Sequence, residues 1–225
     1  MLLRKNDVVA GALKLLDAEG LDGLTMRKVA AVLGVQAGAL YRHYANKKAL
    51  LDAMAEKVVE GVGTPAPTGP WDRQLEILAG RLRRCLLTHR DGARVVAGTF
   101  VAESNTLASG KAFLDALGSA GVPPERAGWI TFALKYYVFG HTIEEQAQVE
   151  LAQAGQWPRD VTVEAGHDPA VVIAVRSVAE ADPAARFAYG LRLFLDGIAA
   201  NIPAASRTAP ASPDPLTDAP AHRTR

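Results

Sequence analysis

Apolar side chains in this chain recur at intervals of three and four rather than alternating, and that spacing restricts the fold to packed helices. From Asn6 to Glu19, the residues Val9, Ala12, Leu13 and Leu16 fall on one helical face, with Asn6 or Asp7 placed to cap the start and Gly20 to end it. Thr25 precedes a second, short helix over Met26–Leu33 with Val29, Ala30 and Leu33 as its buried stripe, and Gly34 supplies the left-handed residue that stops it. After Val35 a third short helix runs from about Gln36 to Tyr44 with Leu40 turned inward, and Asn46 caps a fourth through Lys57.

A cluster of glycine and proline near residues 61–70 marks a break. Beyond it the same periodicity predicts helices over Trp71–Thr88, His89–Ala97, Ser104–Ala120, Pro124–Leu151, Pro169–Glu180 and Ala184–Ile202. The stretch 152–168 mixes glycine, proline and polar residues and reads as a loop. Residues 203–225 are rich in Ala, Pro, Thr and Ser without periodicity and read as a disordered tail. The expected fold class is therefore all-α.

Charge excludes little until it is divided along the chain. The whole carries a formal +1, but the first fifty residues carry eight basic side chains against four acidic ones. A small basic module on a mildly acidic body suits a protein that neutralises phosphates with one end. No uninterrupted apolar stretch is long enough to span a bilayer and no signal-peptide pattern opens the chain, so a cytoplasmic protein without membrane attachment is expected. The single Cys85 allows no intrachain disulfide.

The constellation that carries function is the pair of short helices joined through Leu33-Gly34-Val35, a helix-turn-helix spacing that places the second helix in a major groove of duplex DNA. Ala37, Gly38 and Ala39 open that helix and allow close backbone approach to base edges. Gln36 is a candidate base reader, and Arg42 is placed either to read a guanine edge or to clamp a phosphate. Tyr41, His43 and Lys47 are placed to hold the phosphate backbone, as are Thr25, Arg27 and Lys28 of the preceding helix.

The segments Gly23-Leu24-Thr25-Met26-Arg27-Lys28-Val29-Ala30, Leu33-Gly34-Val35, Leu40-Tyr41-Arg42-His43-Tyr44, Asn46-Lys47 and Ala49-Leu50-Leu51-Asp52 resemble the TetR family of transcriptional regulators. Leu86 to Val95, Gly98-Thr99, Gly140, Glu144 to Gln146 and Gly190-Leu191 extend the resemblance to the tetracycline-repressor subgroup over most of residues 3–202. It implies a helix-turn-helix DNA-binding domain with a connecting helix over 1–60, and a helical ligand-binding and dimerisation domain over 61–202. It also implies a homodimer on a palindromic operator, released by a small molecule. In that subgroup the drug is a magnesium chelate held by histidine, asparagine, glutamine and threonine, with a glutamate from the other subunit.

Most of those groups are missing here. Val96 stands where the resemblance implies the metal-binding histidine, Val62 or Gly63 where it implies another, and Leu78 and Leu82 where it implies asparagine and phenylalanine; Thr99 and Glu144 survive. The expected effector is therefore a larger, hydrophobic molecule with few polar anchors, contacted by Leu78, Leu82, Val96, Thr99, Phe100, Phe113, Tyr136, Phe139 and Glu144, with no cofactor and no metal.

Other readings are weaker. His141 shares a helix face with Glu144 or Glu145 but lacks a third metal ligand. His89-Arg90-Asp91 resembles a kinase catalytic loop but has Val96 where asparagine is required, and Ser109-Gly110-Lys111 lacks the earlier glycine of a phosphate loop. A helical enzyme or metal-binding protein is thus the alternative of another class, and an activator of the same architecture is the alternative within it.

Overall fold

The computed structural model of the chain describes residues 3–99, 102–157 and 168–202, which form ten helices and, among the described residues, no strand. The tail 203–225 and most of the expected loop 152–168 lie outside the described residues, as does Phe100.

The head consists of α1 (Lys5–Gly23), α2 (Met26–Val32) and α3 (Ala37–Tyr41), and α4 (Lys47–Val58) leads out of it. The regular geometry of α1 breaks at Gly20 (φ 72, ψ 176), the residue expected to end it, and one more turn follows. Its start differs from the expectation: Arg4 is the capping residue, and its backbone N–H donates to the Asp7 carboxylate at 2.9 Å from inside the first turn. Thr25 caps α2 by accepting from the Lys28 N–H, and Asn46 caps α4 by accepting from the Ala49 N–H at 2.9 Å. Gly34, at φ 66, makes the turn between α2 and α3 that a side chain would strain. Helix α3 is shorter than its pattern suggests, because the His43 and Tyr44 N–H groups both turn back onto the Leu40 carbonyl and close it. Leu16, Leu24, Val29, Leu40, Leu50 and Met54 are fully buried and hold these helices together.

The body contains α5 (Trp71–Leu87), α6 (Gly92–Ala97), α7 (Ser104–Ser119), α8 (Pro124–Gln153), α9 (Pro169–Glu180) and α10 (Pro183–Asn201). Helix α5 is strongly amphipathic and sits inside, with Leu75, Leu78, Leu82 and Leu86 packed against α7 and α8. Each such leucine contributes about 1.5–3 kcal/mol by leaving water. Helix α6 begins at Gly92 rather than His89, because Asp91 takes a left-handed conformation (φ 55) that no regular helix contains.

Helix α8 is 30 residues long and has two apolar faces. Leu134 and Val138 point into the core, whereas Trp129, Phe132 and Tyr136 are exposed. Helix α10 packs on α8 through Phe187, Leu191 and Leu195 and leaves Tyr189, Leu193 and Phe194 uncovered. No helix of the described residues is long and apolar enough to cross a membrane.

Candidate functional site

Two surfaces have the character of sites, and hydrogen bonds tie the helices that wall the second to α1 and α4. The first is the outer face of α2 and α3. Gln36, Gly38, Tyr41 and Arg42 are exposed, as are Thr25, Arg27 and Lys28 on the preceding helix; Ala37, Ala39, His43 and Lys47 are half-buried beside them. The sequence-derived candidates are thus all wholly or partly accessible to a partner. Thr25 accepts the Lys28 N–H, which leaves its own hydroxyl proton free to donate outward, and the Lys28 ammonium is steadied by Glu19. Around Gly38 there is open space: nothing lies within 4 Å of where a Cβ would stand.

The second surface is a cavity of about 1200 Å³ between the end of α6, the start of α7 and the middle of α8. Val96, Thr99, Tyr136 and Phe139 line it, together with Leu107, Leu114, Phe132, Thr131 and Lys135, which sequence reasoning had not selected. A signal for Lys135 was present, since it is the only charged residue in the otherwise largely apolar run from Ala127 to Gly140.

Other candidates lie elsewhere. Leu78, Leu82 and Phe113 are buried in the core and do not line the cavity, because α5 turns its apolar face to α7 and α8 and Phe113 sits beneath the wall rather than on it. Glu144 is exposed, beyond the stretch of α8 that the cavity touches.

A magnesium chelate does not fit these residues. The described lining holds no histidine, and its one carboxylate, Asp115, is paired with Lys111. Val62 is fully buried, and a side chain at Gly63 would strike the Ala108 carbonyl, 2.4 Å from the Cβ position, so neither place accommodates an imidazole. The His141 and Glu145 pair is not a half-built metal site either. Both Glu145 oxygens are taken by Arg83, at 2.8 Å from Nε and 2.5 Å from the terminal nitrogen, and His141 lies 3.8 Å away. Burial pulls the His141 imidazole below its usual range, partly offset by Glu145.

The hydrogen bonds that tie the cavity-walling helices to the rest of the chain start from α4 and α1. The Glu56 carboxylate, near the end of α4, accepts from the backbone N–H groups of Asn105 and Thr106 and from the Thr106 hydroxyl at 2.8 Å. It thereby caps α7, where the helix dipole favours a negative charge, and Thr106 itself lines the cavity. At the opposite end of α6 from Val96, Asp91 accepts the Leu21 N–H of α1 at 2.7 Å and an Arg94 guanidinium N–H at 3.0 Å. Asp17 of α1 meets the His89 ring at 3.0 Å and the Arg90 N–H at 3.1 Å.

Comparison with known proteins matches both halves. Residues 8–54 match the family described as bacterial regulatory proteins, tetR family, and residues 64–202 match the tetracyclin repressor-like C-terminal domain. The chain is 37% identical over 201 residues to the tetracycline repressor protein class C of Escherichia coli, covering 87% of this chain and 90% of that one. A crystal structure of a possible TetR family transcriptional regulator from Streptomyces coelicolor A3(2) superposes with a TM-score of 0.78 at 39% identity, covering 88% of this chain and all of the other. The Streptomyces coelicolor TetR family protein ActR in complex with actinorhodin superposes with a TM-score of 0.76 at 29% identity, covering 90% and 99%. By sequence over most of its length and by fold, this chain belongs to the tetR family of bacterial regulatory proteins, a family of transcriptional regulators and not of enzymes.

Proposed function

We propose that the protein is a homodimeric repressor that places its two α3 helices in successive major grooves of a palindromic operator and is released when a largely apolar small molecule occupies the cavity. In this reading residues 1–60 are the DNA-binding unit and 61–202 the sensing and dimerisation unit. Gln36 and Arg42 read base edges, and Tyr41, His43, Lys47, Arg27, Lys28 and Thr25 hold phosphates. Val96, Thr99, Tyr136 and Phe139 contact the effector, and the exposed Glu144 serves the cavity of the partner copy.

The observation that carries the proposal is the hydrogen bonding of the cavity-walling helices α6 and α7 to α1 and α4. Thr106 is both a wall residue and a partner of Glu56 on α4, and α6 contributes Val96 to the wall at one end and is tied to α1 through Asp91 at the other. A molecule that spreads α6, α7 and α8 has to move α4 and α1 with them, which changes the separation of the two heads. Operator and effector then weaken each other by the same factor, typically 5–150-fold. The ligand complexes among its structural neighbours, such as the TetR family protein ActR with actinorhodin, support a small-molecule effector.

Gel-shift titration of the full-length protein against the DNA flanking its own gene tests this. Affinity that resists competitor DNA is expected, with Arg42→Ala weakening it by about 1–3 kcal/mol. Affinity indifferent to sequence would overturn specific operator recognition.

A further inference from the structure

We infer that Lys135 and Thr131 form an anion-anchoring subsite in the cavity wall, and that the effector is a largely apolar aromatic molecule carrying one acidic group. The inference rests on the cavity being the effector site. The two residues are one turn apart on α8, so their side chains share a face, and both line the cavity.

Thr131 is only 4% exposed, yet its hydroxyl has no hydrogen-bond partner among the described residues. A buried helical threonine ordinarily bonds the carbonyl four residues back. Thr142, on the same helix, does so, to Val138 at 2.7 Å. Lys135 is in a comparable position. The other two lysines that line the cavity are paired, Lys48 with Asp52 and Lys111 with Asp115, whereas Lys135 has no ion pair among the described residues. Its ammonium lies over the Phe113 ring, 5.6 Å from the centroid, and burial pulls its pKa below the usual lysine range.

A donor and a cation held together without a counter-charge are costly unless something brings the missing acceptor. Around them Val96, Leu107, Leu114, Phe132 and Phe139 are apolar or aromatic. A carboxylate, sulfonate or acidic phenol on an aromatic body supplies what both groups lack, and a neutral molecule of the same shape does not.

The test uses two fluorescent probes that differ only by a sulfonate, 8-anilino-1-naphthalenesulfonate and N-phenyl-1-naphthylamine, titrated into the full-length protein. The sulfonate is expected to bind about tenfold more tightly. Lys135→Met should abolish that preference while leaving N-phenyl-1-naphthylamine within about twofold, Lys135→Arg should keep it, and Thr131→Val should weaken the sulfonate alone. Leu107→Trp, at a residue exposed enough to accept the larger ring, narrows the cavity and should weaken both probes by about tenfold. If Leu107→Trp weakens both but Lys135→Met leaves the two affinities in their wild-type ratio, the anion anchor is overturned and the cavity stands. Probes whose affinities are unchanged in Leu107→Trp overturn the cavity as the binding site, and the anchor with it.

Discussion

Gly38 occupies the first turn of a five-residue helix, where glycine costs about 1 kcal/mol relative to alanine, and no neighbour within 4 Å requires its small size. Under the proposed function, that open space is what a helix lying against base edges needs. Gly38→Ala should therefore raise stability by about 0.5–1 kcal/mol in urea denaturation while weakening operator binding in a gel shift; unchanged binding would mean that α3 does not approach DNA at that point. Lys135 shows the same exchange of stability for function. Burial lowers its pKa in the folded state, so the unfolded chain holds the proton more favourably and the charge opposes folding at neutral pH. That penalty fades as pH rises through the ordinary lysine value of 10.5. Lys135→Met should stabilise the protein without ligand by about 1 kcal/mol near pH 7, by less towards pH 10.5, and a loss of stability would show that the ammonium has a partner. The turn and caps that carry the exposed candidates of α2 and α3 were legible in sequence because turn and cap chemistry is local; the open state of Thr131 was not, because only the packed structure reveals that its hydroxyl lacks a partner among the described residues.

At the level of elements, helices α6 and α7 connect the cavity to α1 and α4 through their ends. Glu56 accepts at the first turn of α7, and Asp91 joins the start of α6 to Leu21. Glu56→Ala removes the cap and should cost about 1–2 kcal/mol of stability. More specifically, it should leave operator affinity near wild type while blunting ligand-induced release, read as the ratio of gel-shift midpoints with and without effector; a ratio that stays at its wild-type value would remove Glu56 from the coupling. Neither bond was foreseen, since their partners lie 50 and 70 residues apart in sequence. The periodicity did place all ten helices, and its errors lay at their ends. Helix α3 stopped early and α6 started late, where side chains and carbonyls compete for backbone bonds.

For the whole molecule the exposed faces of α8 and α10 matter most. Trp129, Tyr136, Tyr189 and Leu193 are each more than half exposed, and a shallow apolar groove between the two helices is lined by Ile130, Ala133, Leu193 and Phe194. Two copies joined across these helices would form a four-helix bundle that buries both groups and fixes the distance between heads. Phe132 and Tyr136 also line the cavity, so such a dimer closes its open side. Leu193→Glu should shift the protein from dimer to monomer in sedimentation and abolish palindrome binding, because one head makes only half the phosphate and base contacts. A variant that remains dimeric would place the interface elsewhere.

The sequence by itself determined the helical class, the order of the helices, the tight turn at Gly34 and the basic head, all of which depend on spacing, caps and side-chain charge within a few residues. It also marked Val96, Thr99, Tyr136 and Phe139 as residues that would meet a common space. Only the tertiary structure decided that Leu78, Leu82 and Phe113 belong to the core, that Glu145 is committed to Arg83, and that Lys135 and Thr131 face the cavity without partners among the described residues. The physical reason is that periodicity reports which face of a helix is apolar, while whether that face meets a neighbour, a cavity or another copy depends on how helices distant in sequence pack.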